Sequence, residues 1–222
     1  MMFTELNASG YEYNDIFYNA EFEEILSKVI ACYNLMVFDK IMLSNDENKI
    51  RDILYLNYLN DNSIRVKIGL KDYYFDRETF EDRTKGRTDI RVLSFYSFQD
   101  TSAYYIIECK RLDSTNTTGT TGLNAKYIEK GICRFASKQY STFYKTNGMI
   151  GFVVESIDIH KNVTSINILL NASFAQANTI RILSNRTIIK GFEYSYHSTH
   201  SIDAEEIIIY HLMFDFSKNI KS

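Results

Sequence analysis

Two kinds of apolar spacing alternate along this chain, and that alternation restricts the fold more than any other feature. In residues 20–43 apolar side chains fall at 22, 25, 26, 29, 30, 33, 36 and 37, the spacing of one face of a long amphipathic helix. Residues 46–60 read as a second helix, and 63–80 as a strand with an irregular return. TDIRVLSF and AYYIIECKRL are rich in β-branched and aromatic residues and are separated by YSFQDTS, which predicts an antiparallel hairpin. DSTNTTGTTGLN is a low-complexity segment and reads as a mobile loop; residues 124–145 then form a second long helix with Asn124 as its N-cap. GMIGFVVE predicts a buried strand, SINILLNASFAQA a helix, and TIIKGFEYSY and EEIIIYHLMFDF two further strands. Helices alternating with short strands imply an α/β fold with a central mixed β-sheet flanked by helices.

At 222 residues the chain is read as a single domain, 1–222, long enough to bury a sizeable core. Cys32, Cys109 and Cys133 show no CxxC spacing and each lies in an apolar pattern, as free thiols of a reducing compartment do. No leader-like N-terminus and no apolar run of membrane-spanning length is visible, so the expectation is a cytoplasmic protein without a membrane partner. The net charge of −3 is uneven. Residues 83–145 hold eleven Lys or Arg against five Asp or Glu, so a polyanion would meet the middle of the chain and be repelled by its ends.

The hairpin carries the chemistry. Strand side chains alternate, so Glu108 and Lys110 share a face while Cys109 points the other way. With a turn centred between Phe98 and Gln99, Asp89 falls opposite Glu108. Two facing carboxylates repel and call for a cation or a raised pKa. Mg²⁺ answers that need, since it is held by one or two carboxylates, keeps waters and takes further ligands from substrate phosphate. Lys110 is then placed to hold or deprotonate an attacking water, or to stabilise a pentacovalent phosphate.

Asp89 followed by Glu108-Cys109-Lys110 on two strands resembles the PD-(D/E)XK nuclease superfamily, with Thr88 in place of the motif's proline. The resemblance extends over the order of elements from residue 20 to 155 and implies a restriction-endonuclease-like core, here with extra C-terminal strands. It implies Asp89 and Glu108 as ligands of Mg²⁺ (or Mn²⁺), the Cys109 carbonyl as a further ligand, and Lys110 as the catalytic lysine. It also suggests an acid from the first helix; among Glu21, Glu23 and Glu24, Glu24 lies beside the apolar stripe and is the candidate ligand.

In the helix at 124–145, Lys126, Lys130, Arg134 and Lys138 recur every four residues and form a basic stripe suited to phosphate contacts. Gln139 with Tyr140 or Tyr144 resembles a substrate-contacting pair of some family branches. YIEKGICRFASKQY and GMIGFVVE resemble nuclease-like proteins of bacterial defence or mobile elements. The expected activity is Mg²⁺-dependent hydrolysis of DNA phosphodiesters, by a homodimer or within a larger complex. The alternatives are a nucleic-acid-binding module on the same fold and a ribonuclease. His197 and His200 have a spacing that admits a metal but read as polar surface, and His160 and His211 read as structural.

Overall fold

The computed structural model describes residues 14–78, 87–95, 103–140 and 142–221. Its centre is a seven-stranded mixed sheet in the order β1-β2-β3-β4-β7-β6-β5. The strands are β1 Tyr73–Arg77, β2 Ile90–Ser94, β3 Tyr105–Leu112, β4 Thr146–Val153, β5 Thr179–Asn185, β6 Ser195–Ile202 and β7 Glu205–Asp215. β3, β4 and β7 run parallel to one another, and the remaining neighbours are antiparallel. Helices cover both faces, which gives the α/β architecture the sequence predicts.

On one face α1 (Asn14–Phe38) and α2 (Glu47–Leu54) pack their apolar residues against Ile90, Val92, Tyr105, Ile107, Ile150 and Leu212. On the other, α4 (Leu123–Tyr127), α5 (Cys133–Ala136) and α6 (Ile159–Ser173) pack against Ile106, Met149, Ile209 and Met213. The central strands are therefore buried on both sides, as parallel strands in an α/β sheet are. β4 has no exposed residue. Cys32, Cys109 and Cys133 are buried free thiols. No helix among the described residues is long and apolar enough to cross a membrane.

Several local expectations change. α1 stops at Phe38 rather than 43, and the chain turns through Lys40 in the left-handed region (φ 51°). The stretch 63–80, read as a strand with an irregular return, holds strand only at β1 among the described residues; it opens with a short helix α3 (Asn62–Ile68), which Asp61 caps by accepting from the amides of Ser63 and Ile64 and Gly69 ends at φ 72°. The long helix at 124–145 is three pieces, with a π-helical turn at Ile128–Ile132 between α4 and α5, and it ends at Ala136. Asn124 is not its cap; its buried side chain bonds the Thr117 carbonyl and Asn162. TIIKGFEYSY is mostly loop, and the strands lie on either side of it, at β5 and β6. The low-complexity segment is folded into turns tied by Ser114 to Glu155 and Asn116 to Thr121. The hairpin turn at 96–102 lies outside the described residues.

Candidate active site

β2 pairs with β3 as Ile90↔Ile107, Arg91↔Ile106 and Val92↔Tyr105, the register that places Asp89 opposite Glu108 one step further on. β2 begins at Ile90, whereas β3 continues to Leu112, so beyond that point the edge of β3 has no strand partner on the β2 side among the described residues. Two of its amides find carboxylates instead. Cys109 N donates to Asp89 Oδ2 at 2.8 Å, and Arg111 N donates to Glu47 Oε2 at 2.9 Å. A buried donor left without an acceptor costs about 1–3 kcal/mol, so these acids complete the ladder where the strand cannot. Glu47 reaches the edge because Asp46 caps α2 by accepting from Lys49 N at 3.0 Å, which fixes Glu47 as the first helical residue.

The same acids surround Lys110. Its ammonium lies 2.7 Å from Glu108 Oε1, 3.2 Å from Glu47 Oε1 and 3.7 Å from Asp89 Oδ2, and it donates to the Cys109 carbonyl at 2.7 Å. Glu108 is 1% exposed, and each of its oxygens has a donor. Oε1 also accepts from Arg134 Nη1 at 3.0 Å, and Oε2 accepts from the Tyr140 hydroxyl at 2.8 Å. Arg134 Nη1 in turn donates to the Tyr140 oxygen at 2.6 Å. From the other side Arg51, 3% exposed, donates to Asp89 Oδ1 at 2.7 Å and also holds Asp52 and Glu78. Gly131, in the π-helical turn, lets this segment settle on the site: a side chain there would collide with Met149 and would come within 3.8 Å of Lys110 Cγ.

Burial pushes the Glu108 carboxyl up to about 7, with Asp89 adding to the rise and Lys110 and Arg134 opposing it. Burial alone would lower the Lys110 ammonium, but Glu108, Asp89 and Glu47 overcome it and hold lysine above its ordinary range. Tyr140 is raised by burial and then by Glu108, so it stays a neutral donor. The site thus pairs a firmly charged ammonium with a carboxyl that titrates near neutrality.

Asp89, Glu108 and Lys110, together with the Cys109 carbonyl, come together as the sequence predicts. Glu24 does not join them. It is exposed on α1 and interacts with Tyr73, which pairs with Ser94 at the opposite end of β1 from the Arg77↔Ile90 pair beside Asp89. The other first-helix acids are also engaged elsewhere: Glu21 accepts from the Tyr105 hydroxyl, and Glu23 from Arg186 and Tyr210. The helical acid that reaches the site is Glu47. It and Arg51 stand four residues apart on α2, a spacing that puts both on one side of a helix, and Asp46 before them is a capping signal.

The basic stripe is divided. Lys126, Lys130, Lys138 and Gln139 are exposed, but Arg134 turns inward to Glu108, Lys130 pairs with Glu129 and Lys138 with Asp203. His197 and His200 cannot share a metal, because three positions along a strand put them on opposite faces. Nor is His200 surface: it is fully buried, in a hydrogen-bonded row with Ser198, His211 and Tyr127. His211 is buried and structural, as expected, and His160 bonds the Tyr196 hydroxyl.

No protein-family model, curated protein or solved structure matches the chain. Among the described residues no three His, Cys, Asp or Glu side chains are grouped to cage a metal by themselves. Oxygen donors of the kind Mg²⁺ takes are present in Asp89, Glu108 and the Cys109 carbonyl, and they accept hydrogen bonds from Arg51, Lys110, Arg134 and Tyr140.

Proposed function

We propose that this protein is a Mg²⁺-dependent endonuclease acting on DNA phosphodiesters, with a site of the PD-(D/E)XK kind. The observation that carries the reading is the convergence of Asp89 and Glu108 on the Lys110 ammonium, on one face of the sheet and at one strand end. Asp89, Glu108 and the Cys109 carbonyl would hold the ion, which supplies Lewis-acid stabilisation of the phosphate and lowers the pKa of a bound water.

The chain's own residues supply the rest. Lys110, kept protonated by three acids, acts as a donor that orients water and offsets charge developing on phosphate oxygens, rather than as a base near neutral pH. Arg134 and Tyr140 fix the rotamer of Glu108, and Arg51 fixes that of Asp89. Lys126 and Lys130 offer exposed charge for the phosphate backbone on the segment that packs over Lys110.

A second reading, a nucleic-acid-binding module on the same fold, is favoured by one observation. The carboxylates of Asp89, Glu108 and Glu47 are already met by Arg51, Arg134 and Lys110, so the cluster is electrically balanced without an added ion.

One experiment separates these readings. Plasmid, linear and single-stranded DNA and RNA are incubated with the protein in Mg²⁺, Mn²⁺ or EDTA. The enzyme reading expects metal-dependent cleavage that Lys110→Ala abolishes while gel-shift binding persists. Binding without cleavage in any metal selects the module, and cleavage confined to RNA selects a ribonuclease.

A further inference from the structure

A second concave site lies on the α1 face of the sheet, away from the candidate active site. Its floor is formed by the outer strands, and its wall by the first turns of α1, around a cavity of about 360 Å³. That volume is within the range of small-ligand sites. The register explains which side chains meet there. Arg181 pairs with Thr199 and Thr199 with Ile208 in one cross-strand row, while His197 pairs with Tyr210 in the next. All five line the cavity.

The polar lining is cationic and preset. Arg186 directs both Nε and Nη2 at Glu23 Oε1, each at 2.7 Å, and the Tyr210 hydroxyl donates to the same oxygen at 2.8 Å. This fixes one edge of the guanidinium against α1 and pairs it with the only carboxylate that lines the cavity among the described residues. Arg181 is exposed and forms no ion pair among the described residues, so its charge is uncompensated. Burial first, and then Arg186 and Arg181 against an opposing Glu23, hold the His197 imidazole below its ordinary value. Ile16, Ala20 and Ile208 add apolar surface beside these groups.

We propose that this cavity binds a phosphate monoester, with Arg181 and Arg186 gripping the phosphate and the apolar wall taking the small organic body that carries it. Guanidinium groups match phosphate oxygens in bidentate geometry, and an unpaired arginine in a concave site is the group an anion would satisfy. The phosphate can come from a free metabolite or from the end of a nucleic-acid strand, and the same cations would receive either. The site shares no residue with the Asp89, Glu108 and Lys110 cluster and does not depend on the nuclease reading.

The test is a calorimetric titration of the full chain with inorganic phosphate, AMP, and a short oligonucleotide with and without a 5′-phosphate, with the His197 ring resonances followed by NMR. The expected result is saturable binding of AMP that moves the His197 resonances and weakens about tenfold or more in Arg181→Ala, a loss of about 1.4 kcal/mol. Lys110→Ala should bind AMP as the wild type does, whatever happens to nuclease activity. Because Arg181 is exposed and unpaired, its variant should keep the wild-type circular dichroism. Binding only by the 5′-phosphorylated strand, again lost in Arg181→Ala, assigns the phosphate to nucleic acid. Absence of binding by every phosphate at millimolar concentration, or binding indifferent to Arg181, overturns the proposal.

Discussion

Replacing Tyr140 by Phe removes one oxygen and changes almost nothing else in volume, so it takes away the support given to Glu108 together with the hydroxyl's contacts to Arg134 and, at 3.0 Å, the Arg87 carbonyl, of which only the first depends on the charge of Glu108. That hydroxyl donates to Glu108 Oε2 at 2.8 Å and accepts from Arg134 Nη1 at 2.6 Å, and the tyrosine is 1% exposed. Without it Oε2 keeps no donor among the described residues, in a carboxylate that water barely reaches. Hydrogen bonds to charged groups are worth about 1.5–3 kcal/mol, and an unpaired buried charge lies toward the upper end, so about 2 kcal/mol of stability should be lost at about pH 8. Because Glu108 titrates near 7, it is largely protonated at about pH 5, where the bond joins two neutral groups and the loss should shrink to about 1 kcal/mol or less. Urea unfolding of wild type and variant at the two pH values, followed by circular dichroism, reads both numbers. A loss equal at the two pH values, or larger in acid, would refute the picture of an ionisable Glu108 held by Tyr140.

Glu108→Gln tests the same group from the other direction. A carboxyl raised from 4.5 to about 7 contributes stability that is complete below 4.5 and is lost as the pH climbs through about 7, a span worth about 3 kcal/mol. The variant should therefore gain on wild type by about that amount across the window, and parallel stability curves would contradict it. His200, held by burial at about 4, contributes the opposite slope, lost as the pH falls from 6.5 toward 4, but it is common to both proteins and drops out of the difference. Ser198→Ala should cost about 3 kcal/mol in urea unfolding, because Ser198 joins the Nε2 atoms of His200 and His211 at 2.7 and 2.8 Å in a site with no exposure; a cost under about 1 kcal/mol would show that the row is dispensable. If the exposed lysines contact phosphates, Lys126→Ala lowers the salt slope of DNA binding by about one while Arg134→Ala leaves it unchanged, since Arg134 is spent on Glu108. Equal changes in the two slopes would return Arg134 to the binding surface.

What the sequence determined by itself was periodicity and its direct consequences. The spacing of Phe22, Ile25, Leu26, Val29 and Ile30 makes α1, and these residues are all buried in the core. Strand alternation puts Glu108 and Lys110 on one face, and the hairpin register brings Asp89 to them; both follow from local geometry. Short elements were less legible. SIRVKI opens a stretch whose alternation reads as strand, but the Asp61 cap and Gly69 bound it as a helix. The stretch from Lys126 to Lys138 reads as one continuous helix, yet a π-helical turn interrupts it and Gly131 presses it onto β3 and β4.

The acid and cations that complete the cluster belong to tertiary structure alone. Glu47 and Arg51 lie about forty residues before Asp89 and carry no motif linking them to it. They are at the site because β2 stops short of β3, leaving two edge amides, of which Asp89 accepts from Cys109 N and Glu47 of α2 from Arg111 N. Likewise nothing in the spacing separates Arg134 from Lys126 or Lys130; burial beside Glu108 does. Periodicity reports which face a side chain occupies, but which distant charge it meets depends on where strands end and how helices settle on them.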